Sequence, residues 1–339
     1  MGSFGRWVGC STLAIVAGLP LSAATITITP GASLAANTAA LQAFNRAANT
    51  WSSLFSDPIL VTINADLGNL GPGVIGSASS VLLLASYTTV RNAMVADAAN
   101  EIDDGIVGSL PTAGEFSAFV PTNVSLSGNM VLSKANAKAL GFGGLDGDFG
   151  ASDASITFSD NFAFDFDNSN GVTAGSMDFE TVALHEIGHA LGFTSTVDEI
   201  DVAGSEPVVV NIFPLDLFRF DLTSMPLDAS TFTTNPRTLV PGQAAVTTDV
   251  ATSWSMSTGR INGDGNQASH WKDDGYSGSH IGIMDPTLSY AQTFGLTYAD
   301  IRAMDLIGWD VQSVPEPGTI TLFAAGMAGF MFMWRRNSA

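Results

Sequence analysis

The segment TVALHEIGHALGF sets His185 and His189 four residues apart with Glu186 between them, in a chain that has only four histidines. Side chains at positions i and i+4 of an α-helix lie on one face, one above the other. Both imidazoles can then reach a single ion at ~2.0–2.1 Å, so this stretch can act as one centre only if it is helical. The flanking residues agree. Asp178 is a good N-cap, Glu180 falls in the first turn, and Gly192 is placed to end the helix after Leu191. Leu184, Ile187 and Leu191 form the apolar stripe, and the two histidines lie on a neighbouring face.

Glu186 need not bind the ion. One residue from a ligand, its carboxylate can take a proton from a metal-bound water and pass it to a leaving group. A metal site that does chemistry holds three protein ligands and leaves one position open, so a third ligand is required. Ser195, at the position where the compact form of such a motif has its next ligand, is a neutral hydroxyl and binds zinc weakly. Asp198, Glu199 and Asp201 are close in sequence, and the two remaining histidines, His270 and His280, stand in ASHWKDDGYSGSHIGIMDP.

Around this motif the pattern is mixed α and β. Leu41, Phe44, Ala48, Trp51 and Phe55 predict one long amphipathic helix over residues 33–55. PILVTINADL reads as a strand, VADAANEIDDGIVGSL as a second, shorter helix, and ASITFSDNFAFDFD as a strand leading through a Gly/Asn/Ser loop to the histidine helix. Residues 196–260 read as loop-dominated with a few strands. LTYADIRAMDLIGWDV, with Ile301, Met304 and Ile307 at helical spacing, closes the domain.

The two ends read as addresses. Residues 1–24 have one arginine, an apolar run and small residues, the pattern of a secretory signal peptide. The chain's one cysteine, Cys10, lies within it, so the exported protein has no disulfide and depends on packing and bound metal. Pro315-Glu316-Pro317 precedes an uncharged stretch over residues 318–334, marginal as a transmembrane helix, and then Arg335 and Arg336. With 12 basic against 32 acidic residues and a net charge of −20, the chain is a poor partner for nucleic acid or anionic lipid. The runs DGDFGASD and DFDNSNG offer clustered oxygens that could hold Ca2+, although neither fits the twelve-residue EF-hand loop.

HEIGHALGF, followed by SHW and then IMDP, resembles the metzincin zinc metallopeptidases, most closely the leishmanolysin-like type. That resemblance implies Zn2+ held by His185, His189 and His270, Glu186 as catalytic base, and Met284 in the turn beneath the site. It implies an α+β fold: a twisted sheet with the active-site helix in an N-terminal lobe (about 25–195), and a loop-rich C-terminal lobe (about 196–313) with the methionine turn and a closing helix. His280, four residues before Met284, is the alternative third ligand or a substrate-binding residue. Tyr290 is a weaker candidate for oxyanion support, the alternative for it being a place in the core. The tail over 314–339 resembles the PEP-CTERM sorting signal of Gram-negative bacteria. An exosortase-type enzyme as partner, transient membrane anchoring and delivery to the outer envelope, the extracellular matrix or the medium are what this tail implies. Together these readings describe a secreted zinc endopeptidase with a protein or peptide substrate. A non-catalytic zinc-binding protein of the surface or exopolysaccharide matrix is the competing class.

Overall fold

A computed structural model of the protein describes residues 23–101 and 104–312. Residues 1–22 of the expected signal peptide, Cys10 among them, and the expected sorting segment with its apolar run lie outside the described residues. The chain enters as strand β1 (Thr25–Pro30), turns through helix α1 (Ala32–Ala36) and continues as α2 (Thr38–Ser52). The single helix expected over 33–55 is therefore two. Asn37 interrupts it, because its side chain accepts the Ala40 N–H at 3.1 Å and caps the second helix. Phe44, Ala48 and Trp51 are buried on α2, as their spacing predicts.

Strand β2 (Leu60–Gly68) is the expected one, and β3 (Gly76–Ser80), β4 (Leu82–Ser86) and helix α3 (Tyr87–Asp97) follow. The second helix expected in VADAANEIDDGIVGSL is not formed as such. Its first residues finish α3, and the rest contributes 3-10 turns at Ala98–Asn100 and Val107–Ser109. Neighbouring acids and two glycines leave that segment little helix propensity. Next come β5 (Ala118–Phe119), β6 (Val124–Ser133), α4 (Lys134–Ala139), α5 (Leu145–Phe149) and β7 (Ala154–Ser159). The expected strand ASITFSDNFAFDFD breaks at the turn after Ser159, so only β8 (Phe164–Asp165) remains of its second half, paired with β9 (Met177–Asp178). Helix α6 (Phe179–Leu191) carries the histidine pair.

The remainder is richer in short elements than its sequence suggests: α7 (Val197–Ala203), β10 (Val208–Ile212), β11 (Arg219–Asp221), α8 (Ala229–Thr234), β12 (Arg237–Thr238), β13 (Ala245–Thr248), β14 (Ser253–Met256), α9 (Asp274–Ser277) and α10 (Tyr298–Leu306). The class is mixed α+β, with several sheets. In the first sheet β1, β2 and β7 run parallel and β3 closes one edge antiparallel to β7, in the order β1-β2-β7-β3. Phe44, Trp51, Ile63, Phe158, Phe179 and Ile187 form the core between this sheet and helices α2 and α6. A second core lies around the sheet β10-β6-β4 and the sheet β14-β13-β11-β12-β5. Both sheets join distant parts of the chain: β10 pairs in parallel with β6, and β12 in parallel with β5.

Acidic side chains gather where the ends of α3 and α10 approach Asp57. Burial, then the charge of Asp310, pushes Asp57 up to about 7; burial, then Asp310 and Asp57, pushes Asp97 up to about 8; burial, then Asp305, pushes Glu101 up to about 9. Each folded-state value lies above the ~4 of an unfolded carboxyl, so the native chain holds more protons than the unfolded chain between about pH 4 and 9. Stability from these groups is full at acid pH and is lost as pH rises through the folded values. Asp97→Asn should accordingly raise the melting temperature at pH 9 and leave it nearly unchanged at pH 5; equal shifts at both pH values in thermal melts would contradict this.

Candidate metal centre

Helix α6 is held at both ends and along its back. Its N-cap Asp178 accepts hydrogen bonds from the Thr181 N–H (3.3 Å) and hydroxyl (2.6 Å) and from the Thr293 hydroxyl (2.7 Å). Two buried indoles donate to its backbone: Trp51 Nε1 to the Leu184 carbonyl (3.0 Å) and Trp309 Nε1 to that of Leu191 (3.1 Å). Gly192 ends the helix, its N–H returning to the His189 carbonyl at 3.1 Å. Gly188 answers a different need. A Cβ there would stand 2.4 Å from Met284 Sδ, so the glycine inside HEIGH makes the seat for the methionine, which is fully buried.

The Nε2 atoms of His185, His189 and His270 form a triangle: 3.1 Å from His189 to His185, 3.2 Å from His189 to His270 and 3.2 Å from His270 to His185. These short approaches are not hydrogen bonds. Each Nδ1 faces a backbone carbonyl, Ile283 for His185 (2.8 Å), Phe193 for His189 (2.9 Å) and Gln267 for His270 (3.1 Å). A carbonyl can only accept, so each Nδ1 carries the proton and each Nε2 presents a lone pair. Burial holds all three rings neutral: it lowers His185, takes His189 down to about 3 with help from His185, and takes His270 well below its ordinary value. Three lone pairs facing one another repel unless a cation lies among them. Ligands ~2.0–2.1 Å from a tetrahedral zinc are separated by about 3.3 Å, which the triangle nearly matches. The donor set therefore fits zinc.

Aspartates bring His270 to the helix. Asp198 accepts hydrogen bonds from the Ala268 N–H and from the Ser269 N–H and hydroxyl. Its carboxylate is thus engaged in orienting the SHW segment, and Asp201 likewise holds the Ile261 and Asn262 N–H groups. Neither joins the imidazole triangle, and Glu199 is also outside it. Asp300, entirely buried, accepts from Trp271 Nε1 (2.7 Å), the Ile283 N–H (2.8 Å), the Met284 N–H (3.3 Å) and the Thr297 N–H and hydroxyl (2.8 and 2.9 Å). It ties the SHW segment, the methionine turn and α10 together, and through the Ile283 carbonyl it reaches His185. Ser195 is no ligand. Its hydroxyl donates to Asp216 at 2.6 Å and its N–H to the Ser269 hydroxyl at 2.9 Å, anchoring the chain as it leaves the helix.

Glu186 lies beside the triangle with no hydrogen bond to its carboxyl among the described residues, and burial pushes it up to about 8. Edge strand β3 closes over it: a Cβ at Gly76 would stand 2.5 Å from Glu186 Oε1. Strand, helix and methionine turn enclose a cleft of about 1040 Å³ that the three histidines, Glu186 and residues 76–80 line. His280 also lines it, stacked on Phe294 at 3.8 Å, and is not part of the triangle. Tyr290 is 53% exposed, outside both the cleft lining and the core. In DGDFGASD, Asp146 pairs with Lys134 (2.7 Å) and Lys138 (2.8 Å) and Asp153 with Lys138 (2.8 Å); in DFDNSNG, Asp165 accepts from the Thr173 hydroxyl (2.6 Å) and Asp167 from the Ser169 N–H (3.2 Å).

Comparison with known proteins adds one family to this geometry. Residues 313–337 match the PEP-CTERM protein-sorting motif. The chain carries that sorting signal. It marks the protein as exported and sorted to the cell envelope in bacteria, with recognition by an exosortase-type processing enzyme. No curated protein matches the chain in sequence. Among the described residues no helix is long and apolar enough to cross a membrane.

The Gly188–Met284 contact reverses an ordinary rule. Gly→Ala inside a helix usually stabilises by ~1 kcal/mol, but forcing a methyl into a packed core costs about 1–3 kcal/mol. Gly188→Ala should lower stability by up to roughly 2 kcal/mol net, measured by urea unfolding; a more stable variant would show that the methionine is not seated on the glycine.

Proposed function

We propose that the protein is an exported zinc endopeptidase of the metzincin, leishmanolysin-like type. The reading is carried by three uncharged imidazoles converging beside the buried carboxyl of Glu186, which shares helix α6 with two of them. His185, His189 and His270 would hold the zinc. When bound, the ion supplies Lewis acidity that makes water acidic near neutral pH and polarises a carbonyl. Glu186 takes the proton from the water that adds to the scissile carbonyl carbon. As the C–N bond breaks, the same carboxyl returns that proton to the departing amine. Burial makes the Glu186 carboxylate a stronger base than an exposed one, which favours its taking the proton before handing it to the amine.

A peptide substrate has a natural seat. β3 is the last strand of its sheet and lines the cleft, so its unpaired edge offers backbone N–H and C=O groups to an extended chain. The tail supports a site of action in the outer envelope or beyond of a Gram-negative bacterium, reached through a transient membrane anchor.

In assays of casein hydrolysis, Glu186→Gln should reduce the rate by at least about 10²–10⁴-fold and keep its zinc, measured by elemental analysis. His270→Ala should lose zinc and activity together. A Glu186→Gln protein as active as the parent would refute the role of this carboxyl. Full zinc occupancy without hydrolysis of any protein or peptide would instead assign the chain to the non-catalytic surface or matrix class.

A further inference from the structure

A second group of metal-ligating side chains lies on the loop between the SHW segment and α10. Asp274, His280 and Asp285 each bring one ligand atom to within 4.8 Å of the others. Short-range geometry builds this arrangement. Gly278 ends α9 in the left-handed region (φ 79°) and returns the chain so that His280 comes back over Asp274. The Asp274 N–H donates to Asp285 Oδ2 at 3.0 Å, and the Thr287 N–H fixes the other oxygen, Oδ1, at 3.0 Å. The His280 ring lies flat on Phe294, 3.8 Å between centres and 13° from parallel.

His280 is the anomaly. Both its ring nitrogens are buried and neither has a hydrogen-bond partner. Burying a polar nitrogen without a partner is costly, and buried polar groups are nearly always satisfied. Its Nδ1 stands 3.7 Å from Asp285 Oδ2, too far for a hydrogen bond. That distance is shorter than twice the ~2.0–2.2 Å of a zinc–ligand bond, so one ion can reach both atoms.

We propose that Asp274, His280 and Asp285 form a second site for a divalent cation. One imidazole and two carboxylates suit zinc, with the remaining position open to water. The site shares no residue with the imidazole triangle, yet His280 and Asp285 face the same cleft. An ion there places positive charge on the cleft wall and locks the loop that leads into the methionine turn.

The test counts zinc. The full chain, purified in detergent, is loaded with zinc, desalted and measured by elemental analysis. The unaltered protein should carry two ions per chain. His280→Phe, which keeps the stack on Phe294 and removes the ligand, should carry one, and so should a chain with His185→Ala and His189→Ala. Asp274→Asn, on a half-exposed side chain, serves as an independent variant whose fold circular dichroism verifies; it too should drop to one ion. One ion in the unaltered protein, or two retained in both His280→Phe and Asp274→Asn, overturns the proposal. One ion that His270→Ala abolishes and His280→Phe spares would defeat this site and leave the peptidase reading standing.

Discussion

Everything in the centre depends on three hydrogen bonds that fix proton positions. Because the Nδ1–H of each histidine is committed to a backbone carbonyl, the three lone pairs have no option but to face inward. The acceptors belong to three separate segments: Phe193 just past the helix, Gln267 before the SHW stretch, and Ile283 in the methionine turn. The fold must bring those carbonyls to the same few ångströms before the imidazoles can be set. Asp300, Asp198 and Asp216 do this by satisfying backbone donors of the converging loops. These carboxylates act as joints for the backbone, each accepting from several N–H and O–H donors.

How far the sequence could be read follows from how local each signal is. Helix α6 was legible from end to end because Asp178, the apolar stripe and Gly192 all lie within one short stretch. The break at Asn37 was missed because the apolar spacing runs straight through it, and only the side-chain cap reveals two helices. β3, β4 and α3 gave little warning; β3 is GSASS, without the alternation that marks a half-buried strand. Asp300 has a visible local role, since Thr297 and Asp300 form a capping box. Nothing near it in sequence shows that it also receives Trp271, Ile283 and Met284. His270 could be singled out only through the likeness of SHW to a known family, and Gly76 carried no signal at all. Ser195, an apparent gap in the metal motif, is explained by the Asp216 that binds it.

The charge balance also takes on a spatial form. Lys134, Arg219, Arg237 and Arg302 are buried, several of them against carboxylates or backbone carbonyls. More carboxylates than cations are buried alongside them, Asp153, Asp216, Asp249 and Asp305 among them, so the acidity is shared between interior and exterior.

The parallel pairing of β6 with β10 has a consequence for the order of events. The chain from Val124 to Ser133 cannot finish its sheet until Val208–Ile212 has arrived, and β5 waits in the same way for Arg237 and Thr238. Non-local parallel pairings of this kind must meet the loop-closure entropy before they are rewarded, which makes folding slow. A chain that forms its structure from the amino terminus onward therefore presents HEIGH long before His270 and the Asp300 joint are in place. The centre can be completed only once the chain as far as Asp300 has joined the fold, so the topology makes its assembly a late event.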